Sequence, residues 1–452
     1  MCKVMPDQTD HRDVVNAMAA HLEAYVETGF FMGSVLIALA EEVLLSQGYG
    51  MANLEHGVAN SPQTKFRLGS VTKQFTATAM LQLQEQGLLK VDSPISTYLP
   101  AYPQGGAITV HHLLTHTAGI PNYTSFPDYV QKQRTAMTLD EIIAWFSDQP
   151  LEFTPGERYS YSNSGYTLLT KLIEVVSGQS YVDYLQHHIF EPLGMTHSGY
   201  DQSAPMLPHR ASGYAPAEEG YQNAAFIDMS IPSGAGGLYS TVEDLYRWDQ
   251  ALYTDAILNE SSRQLMFAPA VEMGKESGNA YYGYGWVIDQ AYERDRVGHG
   301  GRIDGFTTSI ARYPHEPVVI IVLSNLETAP VARISNDLAA ILFDREYTLP
   351  QKRQAITLDP AIYETYLGDY ELAPGIILSV TTEAQRLFAQ LTGQNRVELF
   401  PESATQFFLK VVDAQLTFIV KGTGKATSVI LHQGGRDQTA NRVPAEEGCL
   451  QS

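Results

Sequence analysis

Ser70 and Lys73 stand three residues apart in Phe66-Arg67-Leu68-Gly69-Ser70-Val71-Thr72-Lys73. If a helix begins at the serine, hydroxyl and amine lie on one face, a turn apart, and can hydrogen-bond. A serine hydroxyl is a poor nucleophile until something takes its proton. Lysine in water holds its own proton up to a pKa of about 10.4. Serving as the base at pH 7 therefore requires a downward bias of about three units, ~4 kcal/mol. Burial and a neighbouring cation supply such a bias, and a helix N-terminus adds a positive dipole end beside Ser70. The pattern predicts attack on a carbonyl and a covalent acyl-enzyme on Ser70.

Two further segments carry complementary chemistry. In Tyr159-Ser160-Tyr161-Ser162-Asn163-Ser164-Gly165-Tyr166, Tyr161-x-Asn163 sets a phenol and an amide on one side of a short loop. The phenol relays a proton if nearby cations lower its pKa, and the amide holds a substrate carbonyl or the lysine. In Val297-Gly298-His299-Gly300-Gly301-Arg302-Ile303-Asp304-Gly305-Phe306, glycines let a ligand approach an edge strand closely. The backbone N–H of Arg302 then faces solvent and, with that of Ser70, forms a seat for an oxyanion. One such donor is worth roughly 2.7–4 kcal/mol in a transition state. Each segment alone is as readily a cap, an aromatic turn or a glycine-rich bend; together and in this order they predict a site.

The elements that must position them are legible in outline. Asp13 to Thr28 carries Val14, Met18, Leu22 and Val26 on one helical stripe. Strand-like runs follow at Gly33–Ala40 and Val43–Tyr49. Ser70 to Gln86 reads as a helix stopped by Gly87. Residues 93–238 read as helices and loops, with Thr109 capping a helix that Gly119 ends, a capping box at Thr138-x-x-Glu141, and a helix from Ser164 to Ser177. Strands return at Arg296–Gly301, Phe306–Tyr313 and Val318–Asn325, then a helix from Ala329 to Arg345. Two early and three late strands predict one five-stranded antiparallel sheet flanked by helices, with the helical middle as a subdomain. Residues 347–360 read as a linker. From Tyr366 to about Val443, eight short strand-like runs predict a small antiparallel barrel or sandwich.

These segments resemble the serine β-lactamase and penicillin-binding-protein-like superfamily, whose signature includes S-x-x-K. Ile108-Thr109-Val110-His111-His112-Leu113-Leu114-Thr115-His116-Thr117-Ala118-Gly119, Pro192-Leu193-Gly194-Met195 and Gly236-Gly237-Leu238-Tyr239-Ser240-Thr241 extend the likeness over about residues 13–346. The resemblance implies an α+β fold of the β-lactamase/transpeptidase type, here an S12-type, H-x-G variant. Tyr366-Leu367-Gly368-Asp369-Tyr370 and Leu391-Thr392-Gly393-Gln394 resemble the lipocalin-like barrel of some members, placing such a domain at 361–445. By motif, Ser70 is implied as nucleophile, Lys73 as its basic partner, Tyr161 as proton shuttle to the leaving group, and Asn163 as the group orienting substrate and lysine. His299 stands where many members have lysine, beside Gly301 and Arg302.

That last segment departs from K-[ST]-G. A lysine and a hydroxyl there would clamp a substrate carboxylate; His299 is only partly charged at neutral pH, and Gly300 has no hydroxyl. The departure favours substrates without an obligatory carboxylate. Three readings stay open: a peptidase or amidase on small peptides, D-residues included; an esterase with weak β-lactam hydrolysis; and a non-catalytic binding or sensor protein. His112 and His116 at i, i+4 lack the intervening glutamate and third ligand of a zinc site, so neither metal nor cofactor is expected.

The chain has 452 residues, 44% of them apolar and 17% charged, with a net charge of −21. That is enough for two or three folded domains, and the charge offers no general attraction to nucleic acid or anionic membrane. Cys2 and Cys449 allow at most one tie between the tails. No signal peptide or span is read near the N-terminus. The expectation is a cytoplasmic protein, periplasmic or secreted if an export signal was removed, that self-associates through the barrel.

Overall fold

The computed structural model describes residues 11–444, apart from 218–219, 275–276, 423 and 434–435; Cys2 and Cys449 lie outside the described residues. The chain divides into two compact units, one ending at Thr348 and the other formed chiefly by residues 349 onward.

The first unit begins with helix α1 (Arg12–Thr28) and the hairpin β1 (Gly33–Leu39) and β2 (Glu42–Tyr49). Helix α2 (Thr72–Glu85) follows a 3-10 turn at Gly69–Val71, and helix α3 (Asn163–Ser177) ends at Gly178 in the left-handed conformation. Strands β3 (Val271–Glu272), β4 (Tyr281–Tyr282), β5 (Val287–Ala291), β6 (Arg294–Ile303), β7 (Phe306–Tyr313) and β8 (Val318–Ser324) come late, followed by helix α4 (Val331–Leu342). They form one antiparallel sheet in the order β3-β4-β5-β6-β7-β8-β1-β2. The expected five-stranded sheet is thus eight-stranded: β3, β4 and β5 extend it beyond β6.

Every residue of β7 and β8 is buried, as a strand covered on both faces requires. Arg312 reaches Asp249 in the helix Val242–Ala251, while its neighbour Tyr313 meets Phe343 at the end of α4. Adjacent strand residues point to opposite faces, so the two helices cover opposite sides of the sheet. The capping box at Thr138–Glu141 is present. Thr109 caps a helix that stops after Leu114 rather than at Gly119, because His116 turns into the left-handed region at φ +57°.

Residues 345–359 form no helix or strand. The second unit contains eight antiparallel strands between Gly368 and Arg442 that close into a barrel. Alternate residues such as Ala414, Leu416 and Phe418 point inward, and Tyr366 stacks on Phe418 at 4.5 Å between ring centroids. Tyr370, Phe407 and Phe418 are at most 1% exposed, so large aromatic side chains pack the interior of this closed sheet.

Candidate active site

Gly69 makes the approach to Ser70 possible. It sits at φ +53°, and a Cβ there would stand 2.7 Å from the backbone nitrogen of Arg302, so only glycine lets the serine turn lie against β6. Ser70 occupies the 3-10 turn, and Lys73 lies on the first turn of α2, fully buried. Tyr161 and Asn163 come from the segment that opens α3.

The structure brings these four together. Lys73 Nζ lies 3.2 Å from Ser70 Oγ, 2.8 Å from Asn163 Oδ1 and 2.8 Å from the Ala235 carbonyl. Tyr161 donates its phenolic proton to Ser70 Oγ at 2.8 Å. The faces of Tyr161 and Tyr166 lie 4.8 and 5.2 Å from Nζ. Burial alone, with no carboxylate contributing, drives the Lys73 pKa well below its usual value. A neutral amine has two N–H donors and one lone pair. The two carbonyl oxygens can only accept, so they take the N–H groups, and the lone pair is left for the Ser70 hydroxyl. In that neutral form Lys73 can receive the serine proton while Tyr161 donates to the same oxygen.

Two expectations need correction. Tyr161 does not have a lowered pKa: burial raises it above the ordinary phenol range, the hydrogen bond to Ser70 opposing only in part, so its proton stays in place. His299 is not partly charged. Burial, and then Lys73, push its pKa down to about 4. Nδ1 lies 2.6 Å from the Gly300 carbonyl and Nε2 lies 3.0 Å from the Tyr282 hydroxyl. A carbonyl cannot donate, so Nδ1 carries the ring proton and Nε2 accepts from Tyr282. Both ring nitrogens are committed.

A cavity of about 270 Å3 opens on Ser70. Asn163, Tyr123, Arg302, Asp304 and Glu327 also line it. The β5–β6 ladder ends at Val287↔Gly298, so among the described residues β6 from His299 onward pairs only with β7 and leaves one edge free beside Ser70. Arg302 lies on that edge, and its side chain is exposed. Asp304 has its carboxyl pKa raised by burial and by Glu327, with Arg67 and Arg302 opposing.

Sequence reasoning missed three contributors. The Ala235 carbonyl lies 162 positions from Lys73. Tyr282 sits on a two-residue strand. His116 packs against Tyr161 with ring centroids 4.2 Å apart and accepts from the Ser162 backbone N–H through Nδ1. The last was visible only as part of a histidine-rich segment. His111 Nδ1 meets the Tyr284 hydroxyl at 2.7 Å, and His112 Nδ1 caps Thr109. Among the described residues no group of three His, Cys, Asp or Glu side chains is arranged to hold a metal ion, and no helix is long and apolar enough to cross a membrane.

A β-lactamase/transpeptidase-type α+β domain with a serine–lysine–tyrosine cluster on its sheet edge is the class that this geometry defines. The β-lactamase family matches residues 18–344, and a domain family of unknown function, DUF3471, matches 352–442. The chain belongs to the β-lactamase family, within the hydrolases related to penicillin-binding proteins. A penicillin-binding protein of Bacillus subtilis (strain 168) is 33% identical over 447 residues, covering 94% of this chain and 98% of that one. An octameric penicillin-binding protein homologue from Pyrococcus abyssi is 27% identical over 96% of this chain and 100% of that one, with a TM-score of 0.67. A D-stereospecific amidohydrolase from Streptomyces sp. is 25% identical over 75% of this chain and 100% of that one, with a TM-score of 0.64.

Proposed function

We propose that this protein hydrolyses amide bonds in small peptides and aminoacyl amides, D-configured ones among them, through an acyl-enzyme on Ser70. The observation that carries the reading is the double contact at Ser70 Oγ: a buried lysine amine at 3.2 Å, placed to take its proton, and a phenol at 2.8 Å to stabilise the oxygen. Ser70 Oγ bonds to the substrate carbonyl carbon as its proton passes to Lys73. The oxyanion rests on the N–H groups of Ser70 and Arg302. The C–N bond breaks as Tyr161 delivers a proton to the leaving amine and regains one from Lys73. Water then repeats the sequence on the ester and frees Ser70.

Amide substrates without a carboxylate clamp are favoured because both nitrogens of His299 are occupied and the cavity holds two carboxyl groups, Asp304 and Glu327, against one exposed guanidinium. The likeness to a D-stereospecific amidohydrolase supports the stereochemistry. Likeness to an octameric homologue supports self-association, which light scattering of the purified protein tests. A turnover screen of matched D- and L-aminoacyl amides, dipeptides, short esters and nitrocefin tests the substrate class. Amides should turn over, with Ser70→Ala inert and a fluorophosphonate attached to Ser70. Turnover of esters or nitrocefin alone would replace the amidase reading, and label on any other residue would remove the acyl-enzyme.

A further inference from the structure

The described site leaves His299 without a chemical task, although it is 8% exposed and sits beside Lys73. Its surroundings supply one. Tyr282, on β4, is completely buried, and its hydroxyl meets His299 Nε2 at 3.0 Å. Its ring lies 4.7 Å from His116 and 6.5 Å from Tyr161. On the other side of the imidazole, Nδ1–H donates to the Gly300 carbonyl at 2.6 Å. That carbonyl belongs to the peptide immediately before Gly301 and Arg302, on the stretch of β6 with no partner along its free edge. A free strand edge has nothing of its own to fix the tilt of its peptide planes. Here a side chain on the same strand fixes one of them.

We propose that Tyr282 and His299 are positioning residues: Tyr282 holds the imidazole in its Nδ1–H tautomer, and the imidazole pins the Gly300 carbonyl, so that the open edge of β6 keeps the shape that receives substrate opposite Ser70. His299 then acts through Gly300 and exchanges no proton with substrate. The groups that face it fit this role. Burial first, and then Lys73, oppose a positive charge on the imidazole, and the Nδ1–H tautomer is the one that satisfies both neighbours at once. The ladders bring the two residues together: Tyr282 pairs with Val287, and Val287 pairs with Gly298, the residue before His299. The proposal rests on the reading that Ser70 is acylated, but its geometry can be tested separately.

Nitrogen-15 NMR of histidine rings in the full-length protein, with His299 assigned by its disappearance in His299→Asn, gives the first test. The Nδ1–H tautomer at pH 7 is expected; an Nε2–H tautomer or an imidazolium overturns the proposal. Kinetics give the second. Asn places its amide N–H where Nδ1–H was and gives up only the contact to Tyr282, so His299→Asn should lose no more kcat than Tyr282→Phe and less than His299→Leu. Tyr282→Phe loses one buried hydrogen bond and should lose about tenfold in kcat, and His299→Leu, which loses both bonds of the imidazole, should lose more than that, each with KM within threefold. Equal loss in His299→Asn and His299→Leu would instead mark an acid–base role, and a wild-type kcat in Tyr282→Phe would reduce that residue to packing. If Ser70 takes no fluorophosphonate, the acyl-enzyme reading fails, while the tautomer measurement still decides the geometry proposed here.

Discussion

Replacing Lys73 by methionine should change how stability depends on pH, in a direction fixed by the burial of the amine. Lys73 is 0% exposed, and burial drives its pKa well below 10.5. In the unfolded chain the same amine titrates near ~10.4. Between those two pKa values the unfolded state holds one proton more than the folded state, so unfolding free energy rises with pH by about 1.4 kcal/mol per unit. The cost of burying the lysine is greatest below the folded pKa, where both states are charged, and disappears as pH approaches the pKa of the free amine. Methionine has no such slope. From pH 8.0 to 9.5 the wild type should gain stability relative to Lys73→Met, by up to about 2 kcal/mol when the folded amine is neutral throughout that range. Groups common to both proteins, the cysteines included, cancel in the difference. Urea unfolding followed by tryptophan fluorescence provides the assay, because all three tryptophans, Trp145, Trp248 and Trp286, belong to the first unit. Lys73→Arg serves as the counterpart: its guanidinium stays charged, no carboxylate is at hand, and an uncompensated buried charge should cost about 3–5 kcal/mol. Parallel pH profiles for wild type and Lys73→Met would show that the folded lysine is protonated, and the proton inventory at Ser70 would fall with it.

Tyr161→Phe keeps the ring against His116 but removes the donor to Ser70 Oγ; kcat on amides should fall by about 10²–10⁴ with little change in KM, and an unchanged kcat would strip Tyr161 of its role. The two glycines after His299 should behave differently. A Cβ on Gly301 would stand 1.9 Å from the Leu68 carbonyl oxygen, whereas one on Gly300 would meet nothing closer than 3.7 Å. Gly301→Ala should therefore abolish fluorophosphonate labelling of Ser70, and Gly300→Ala should retain most of it; the opposite ranking would refute the register of β6 against the serine turn. Asp249 and Arg312 are 1% and 2% exposed and pair between the helix Val242–Ala251 and the face of the sheet. Asp249→Ala leaves a buried guanidinium unpaired and should cost about 3–5 kcal/mol in urea unfolding; a cost under 1 kcal/mol would mean that water reaches the pair.

Ser70, Lys73, Tyr161 and Asn163 were readable from spacing because a helical turn and a helix start bring fixed offsets to one face, whatever surrounds them. The hairpin β1–β2, the strands β6 to β8 and the count of eight barrel strands were readable because each run is long enough to show its apolar pattern. Strands β3 and β4 have two residues each, too few for any period, so the width of the sheet and the place of Tyr282 beside His299 came only with the fold. Charge states were decided there too. Lys73, Tyr161 and His299 look alike in sequence whether wet or dry. Their protons depend on how completely water is excluded and on acceptors as distant along the chain as Ala235. The sequence by itself determined which groups can react. Tertiary packing decided that the lysine's hold on its proton is weakened, that the tyrosine's is strengthened, and that both nitrogens of the histidine are engaged, because desolvation and hydrogen-bond partnership belong to the assembled interior rather than to any local motif.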